Sequence, residues 1–473
     1  MTVSSETMTS DDTGPRAVLD RILDCVGWDR IAAGHVKFTG ADPVLASRFR
    51  IGDVGAATIA ACGLAAADLW ELRSGQRQDV AVDIRTAAMA MRSQRYVRIV
   101  GKEPIPAWGA VSGFYQSADD RWVQLHCNFP HHRDGAMAVL GCEATRDAFQ
   151  AAIATWRAAE LEDAFAERGL CAAMVRDHGE WAALPQSAAI GSLPLMQIIR
   201  IADSDREPMG AGERPLSGIR VLDLTRVLAG PTCARTLAEH GADVMRISVP
   251  HLPFSANSVL DTGHGKRNAF IDLRCGDGIA TLRELVGGAD VFSQAYRPGT
   301  LAARGFSPRD LAALRPGIVC VSLCAYGHEG PWRDRRGFDT LVQSATGIAN
   351  EQGGGGPPRH MPVSQLDYAT GFLAAFGAMR ALAQRAREGG SYLVRLSLCQ
   401  TAHWLKNLGR LPASALELPD PGLDDVADLM IESTGPFGRV RHLAPAIEMS
   451  QTPPRWVRPV APLGHHDPVW PET

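Results

Sequence analysis

No cysteine pair in this chain has metal-ligand or redox spacing. The ten cysteines are scattered through 473 residues without a Cys-x-x-Cys. That excludes a zinc knuckle or a dithiol centre and fits reduced thiols in a cytoplasmic protein. Positive charge is not in excess either. Lys+Arg number 48 against 52 Asp+Glu, a net charge of −4, so neither nucleic acid nor an anionic membrane surface is an expected partner. No uninterrupted apolar run reaches the roughly 18 residues of a membrane span. The first residues are polar and acidic, with no apolar core for a signal peptide, and residues 1–14 are expected to form a disordered tail. What remains is an ordinary globular composition, 45% hydrophobic and 21% charged, long enough for more than one domain.

Signals for strand, glycine turn and helix recur from Pro215 onward. Pro215 to Leu224 reads as a buried strand that ends in the turn Val227-Leu228-Ala229-Gly230-Pro231. A helix from Thr232 to Glu239 and a second apolar strand, Gly241 to Ile247, follow. That order is a βαβ unit with a parallel pair, and open parallel sheets bind ligands at the C-terminal ends of their strands. Next come Gly265-Lys266-Arg267-Asn268, Phe270 to Arg274, Ala289 to Phe292, Tyr296 to Gly299, Ile318 to Leu323, Tyr326 to Pro331 and Gly337 to Gly347. The stretch Pro362 to Gly371 then sets one carboxylate, Asp367, ahead of a long Ala/Leu helix, Phe372 to Arg387, and behind a Gly/Pro loop, Gly353 to Pro358. An Asp there is ordinarily a helix cap. The same place, in the favourable end of the helix dipole, also suits a carboxylate held ionised to attack an acyl carbon.

Part of this pattern occurs twice. Asp53 to Gly63 aligns without gaps on Asp367 to Gly377, Arg73-Ser74-Gly75 falls on Arg387-Glu388-Gly389, and Val80 to Asp83 falls on Val394 to Ser397. Nothing before Asp53 reads as strand, glycine and helix, so Asp53 is expected to be a relic or a structural cap.

In this order and spacing, Pro215 to about Leu405 resembles the family III CoA-transferases, the CaiB/BaiF group that includes formyl-CoA transferase and carnitine CoA-transferase. The resemblance implies an α/β fold: a Rossmann-like parallel-sheet large domain and a smaller α+β domain. It makes Asp367 the nucleophile. It places Val227, Leu228 and Ala229 along the CoA path, and Ala295 and Tyr296 at adenine and pantetheine positions. Arg336 and Phe338 then lie near the acyl end. Lys266, Arg267 and Arg274 are the expected phosphate partners, Arg274 standing where the family carries a phosphate-contacting Lys. Two positions depart: Arg246-Ile247-Ser248 replaces a family Lys-Val-Glu, and Val249-Pro250 replaces a cation. Gly113 to Leu125 and residues 156–190 resemble the small domain, and Leu443 to Pro445 with Ala461 to His466 resemble a closing segment.

The domain order is therefore unusual: a partial core repeat over 15–100, a small domain over 101–202, a linker at 203–214, the CoA-binding domain at 215–410 and a closing segment at 411–473. The implied substrates are an acyl-CoA and a carboxylic acid, with no tightly bound cofactor and no metal. The implied assembly is a homodimer, the small domain of one chain covering the Asp of the other. Two other readings stay open: an α-methylacyl-CoA racemase-like isomerase, in which Phe338 replaces the family's His, and a non-catalytic CoA-binding paralogue.

Overall fold

The computed structural model describes residues 14–106 and 108–471, so the expected tail lies outside the described residues except for Gly14. Its centre is a seven-stranded sheet. In chain order the strands are β1 (Gln197–Ala202), β2 (Arg220–Leu224), β3 (Asp243–Ser248), β4 (Lys266–Phe270), β5 (Val291–Gln294), β6 (Val319–Cys324) and β7 (Ser391–Ser397). They lie in the order β4-β3-β2-β5-β6-β7-β1, parallel throughout except for β1, which pairs antiparallel with β7. The inner strands are near-continuous apolar runs because helices cover both faces; Val221 to Leu224 of β2 are all buried. The strand order reverses at the β2/β5 boundary, where a parallel sheet opens its ligand crevice.

Helices α2 (Ala229–Glu239) and α3 (Gln365–Glu388) border that crevice, and α1 (Ile51–Ser74) lies behind α3. Helix α3 packs against both α1 and α2. Every residue of α2 is buried. Gly371 sets the α2–α3 distance: a Cβ there would come within 2.5 Å of the Ala229 carbonyl oxygen and 2.7 Å of the Thr232 Cβ. Among the described residues α1 alone is long and apolar enough to cross a membrane, but its window is 89% buried, which is how a core helix of this protein meets the same test.

The two segments with matched sequence have matched elements. Helices α1 and α3 both run 24 residues, and Asp53 and Asp367 are each the third residue of their helix. Each helix is followed by a glycine at φ 73°, Gly75 and Gly389. A strand follows each, and its last residue caps the next helix through its side chain: Asp83 accepts from the Thr86 N–H, and Ser397 from the Gln400 N–H. Gly63 lies over Val80 and Gly377 over Val394, so close that a Cβ would come within 2.8 and 2.6 Å. The first copy also has a strand that the sequence reading missed. Val36–Thr39 pairs in parallel with Val80–Asp83, as β6 pairs with β7.

The small three-stranded antiparallel sheet joins Gly113–Gln116, Trp122–Leu125 and Ala172–Met174. Helices Pro130–Leu140, Arg146–Ile153 and Ala158–Glu167 pack around it on Phe149, Leu161 and Phe165. Strand β1, at the end of the segment read as small domain, belongs to the large sheet. In the C-terminal segment, Gly438–Leu443 pairs with Arg98–Ile99, and Glu448–Met449 pairs with Val80 and Ala81.

Candidate active site

Helix α3 begins at Gln365, seven residues before the expected start, so Asp367 lies inside its first turn rather than ahead of it. Asp367 is therefore not the cap. The N-cap position is Ser364, whose side chain makes no capping bond. The capping is done from a distance by Asp339. Its Oδ2 accepts the Leu366 N–H at 2.8 Å and the Asp367 N–H at 3.0 Å. Gln343 donates to Asp339 Oδ1 and accepts the Met361 N–H at 2.9 Å. Asp339, missed in the sequence, thus fixes the first turn of α3 and frees the Asp367 carboxylate for another role. The signal was present: an acid directly after Phe338 at the start of a buried helix.

Asp367 is 8% exposed as a residue, and its carboxyl is held well above the usual carboxylate range by burial and then by the charge of Asp339. Burial pushes Asp339 up to about 6, against the pull of the backbone N–H groups it accepts. Two carboxylates this close and this dry resist ionising together.

Asp367 opens onto a cavity of about 690 Å³. Val227, Ala229, Ala295, Tyr296, Arg336 and Phe338 also line it, so seven residues singled out from the sequence converge on one wall system. Leu228 is buried between two of them as the residue before α2. Val227 adopts φ 67°, a left-handed conformation costly for a β-branched residue. That turn presents the strand-to-helix backbone to the cavity.

The expected phosphate cations are elsewhere. Lys266 is fully buried and is spent on the Asp223 carboxylate at 2.8 Å and the Pro231 carbonyl at 2.8 Å. Arg267 faces Asp243 at 3.6 Å. Arg274 is exposed and folds back on Asp272 at 2.6 Å. None of the three lines the cavity. Its rim carries instead Arg226, Arg297, Arg304, Arg333, Arg335 and Arg336. Among the described residues, Arg226, Arg297, Arg304 and Arg336 have no carboxylate within salt-bridge distance, whereas Arg335 reaches Asp163 at 3.1 Å. Sequence shows the sign of a charge but not the direction of its side chain.

The cover comes from the same chain. Phe129, His131 and His132 of the 101–202 segment line the cavity with Asp367. The His126 ring stacks on Phe338, centroids 3.8 Å apart at 11°. Burial pushes His126 down to about 4 and His132 to about 3, so both rings are neutral at pH 7 and form an apolar wall. No second chain is needed to bring this domain over Asp367. The backbone N–H groups after Asp367 are committed to the helix; that of Tyr368 goes to Ser364 O at 3.0 Å.

The first copy repeats the carboxylate pair and then closes it. Asp42 Oδ2 accepts the Asp53 N–H at 2.9 Å, and Asp42 is pushed up to about 6 by burial and the Asp53 charge. Here Arg50 stands where the second copy has Ser364, and its guanidinium is 3.0 Å from Asp53 Oδ2. Because Asp42 prefers its protonated form in the fold, its contribution is full below the unfolded value near ~3.9 and is lost as pH rises through about 6. Asp42→Asn keeps an acceptor and removes the charge. The variant is expected to lose less stability than the wild type between pH 4 and 7 (about 1–2 kcal/mol less), read from denaturant midpoints at both ends of that window.

Comparison with known proteins gives the family. The family model described as CoA-transferase family III matches residues 23–198 and 216–409, one match on each copy. An acetyl-coenzyme A transferase of Hypoxylon pulicicidum is 29% identical over 322 residues, covering 62% of this chain and 54% of that protein. A succinyl-CoA–D-citramalate CoA-transferase of Chloroflexus aurantiacus is 32% identical over 201 residues, covering 39% of this chain and 49% of that protein. The chain thus spans about half the length of the curated relatives it matches. A solved CAIB/BAIF family protein of Brucella suis is 30% identical, with a TM-score of 0.38, covering 40% of this chain and 55% of that one. With both halves of the repeat matched, the chain belongs to CoA-transferase family III.

Proposed function

We propose that this protein moves CoA between an acyl-CoA thioester and a carboxylic acid through covalent intermediates on Asp367. The observation that carries the reading is the carboxylate of Asp367 at the inner end of a cavity of about 690 Å³ whose outer rim is a cluster of arginines. A polyphosphate suits that rim, because guanidinium groups bind phosphate in bidentate fashion. The narrow turn at Val227 to Ala229 suits a pantetheine arm, and the Phe129, Phe338 and imidazole wall suits an acyl group.

In the reaction, Asp367 first gives up to solvent the proton that burial and the Asp339 charge favour, and an oxygen of the resulting carboxylate attacks the thioester carbonyl carbon. The C–S bond breaks, CoA leaves as thiolate, and a mixed anhydride remains. The thiolate attacks the Asp367 carbonyl carbon of that anhydride, releasing the first acid and leaving an aspartyl-CoA thioester. The acceptor carboxylate attacks this thioester, the thiolate departs again, and its return to the acceptor's acyl carbon frees Asp367. Each leaving group is a thiolate or a carboxylate, so no proton has to be delivered to it. Asp339 acts as a positioning residue that holds the first turn of α3.

The neutral-wall geometry also bears on the isomerase reading. The ring nearest the family's His position is Phe338, and it cannot take a proton. Transfer is therefore favoured over racemisation. The protein is proposed to work in the cytoplasm, where its free thiols stay reduced, and to pair as a homodimer of two complete sites.

The test is to incubate the protein with acyl-CoA substrates and then with hydroxylamine, and to map the product by peptide mass spectrometry. Hydroxamate on Asp367 is expected; adducts absent with every acyl-CoA that the protein binds would remove the covalent mechanism. The rim makes a second prediction. Arg336→Ala is expected to weaken CoA binding by roughly 3–10-fold, an exposed charge-assisted contact being worth about 1 kcal/mol, as read by titration calorimetry. Raising the salt concentration should narrow the difference.

A further inference from the structure

We propose that a separate cleft beside the main cavity is a binding site for a small organic monoanion with an apolar body, such as an aromatic carboxylate. The cleft has a volume of about 230 Å³ and lies against one face of β5, β6 and β7, where Phe292, Cys320 and Leu393 stand in one row and Gln294, Ser322 and Arg395 in the next. Its floor is apolar: the rings of Phe292 and Phe306 lie parallel, centroids 6.4 Å apart at 8°, with Leu311 and Leu393 beside them. A dry cavity of about 150 Å³ admits a benzene ring, so this one has room for a ring and a carboxylate.

Its rim supplies the charge. Arg395 lines this cleft and not the main cavity. Its carboxylate neighbour is Glu329 at 3.6 Å, and that side chain is 52% exposed, a pair that holds Arg395 loosely. Arg297 and Arg333 line both spaces. Arg297 reaches the Asp334 carbonyl at 3.4 Å, and Arg333 is 3.5 Å from the exposed Asp334 carboxylate. Three guanidiniums thus face two carboxylates, and the balance is positive. A hydroxyl is also at hand. Ser322 Oγ accepts from Gln294 Nε2 at 2.5 Å and lies 3.0 Å from His328 Nε2.

Sharing Arg297 and Arg333 couples the two spaces. An anion held in the cleft competes for guanidiniums that a polyphosphate in the main cavity would use, so each ligand weakens the other by the same factor. The coupling rests on the CoA reading above; binding in the cleft does not.

Benzoate is the probe, with benzamide as its neutral control, titrated into the full chain by calorimetry and by ligand-observed NMR. Benzoate is expected to bind and benzamide to bind at least tenfold more weakly. Arg395→Ala should weaken benzoate at least tenfold and leave CoA affinity unchanged. Leu393→Phe, which fills the cleft from its floor, should do the same, with melting curves confirming that both variants fold. Saturating benzoate should raise the Kd for CoA in the wild type and not in Arg395→Ala. Equal binding of benzoate and benzamide, or wild-type benzoate affinity in both variants, overturns the site. Failure of CoA to bind, with the benzoate results intact, removes the transferase reading and leaves the cleft standing.

Discussion

Asp367→Asn should bind CoA as the wild type does and lose transfer by a factor on the order of 10⁴, the scale at which removal of a covalent nucleophile is felt. The substitution preserves shape. Asp339 takes the Leu366 and Asp367 backbone N–H groups rather than the Asp367 side chain, so the first turn of α3 keeps its anchor. It also removes a buried carboxyl that Asp339 repels, so the variant should melt no lower than the wild type at pH 8. Activity and stability are thereby separated: a folded, CoA-binding, inactive protein is the expected outcome. Asp53→Ala is the matched control. It deletes a carboxylate of the same helix position, but one already neutralised by Arg50 at 3.0 Å. It should cost about 1–2 kcal/mol of stability and leave the rate per folded molecule unchanged. Initial rates and melting temperatures on both variants decide the matter. Wild-type transfer by Asp367→Asn would reduce Asp367 to a structural acid, and loss of transfer by a folded Asp53→Ala would make the first copy part of the working site.

The reasons for success and failure in reading the sequence are physical. The inner strands were legible because a parallel sheet covered on both faces needs near-continuous apolar runs, and Val221 to Leu224 and Val319 to Cys324 are such runs, broken only by Asp223 and Ser322. Val36–Thr39 was not, because four residues on a half-exposed edge carry almost no pattern. Asp367 and the turn at Val227 were legible through the order of motifs around them, and both line the cavity. The arginine rim was not, Arg336 apart, since its members come from three separated segments, at Arg226, at Arg297 and Arg304, and at Arg333 to Arg336, that meet only through the fold. The cover was half legible. The small domain could be placed in the chain, but whether it closes over its own Asp367 or a partner's depends on how the first copy docks. Here α1 packs against α3, and that contact carries the following domain over the cavity of the same chain.

Lys266 shows what a misdirected cation does instead, and it carries the second large prediction. It was expected to meet phosphate. It is 0% exposed and holds Asp223, also 0% exposed, across the sheet. An Asp inside an apolar strand such as Val221-Leu222-Asp223-Leu224 demands a partner; Lys266 is the cation that hydrogen-bonds it, and the buried Arg246 opposite it on β3 adds a longer-range attraction. Burial pushes its ammonium down to about 8 against the attraction of Asp223. Lys266→Met is expected to destabilise the fold by about 3–5 kcal/mol, because it strands a buried carboxylate rather than merely deleting a contact. The Thr225 hydroxyl and N–H still donate to Asp223 Oδ1, but neither carries charge. The pH dependence identifies the cause. In the variant the charged form of Asp223 has lost its ammonium partner, so the penalty is expected to be smallest in acid and to grow as pH rises toward neutrality. The double variant Lys266→Met with Asp223→Asn should recover most of the loss at pH 8. Equal destabilisation at pH 5 and pH 8, with no recovery in the double variant, would mean that the methylene packing of Lys266, not its charge, holds β4 to the α2 turn.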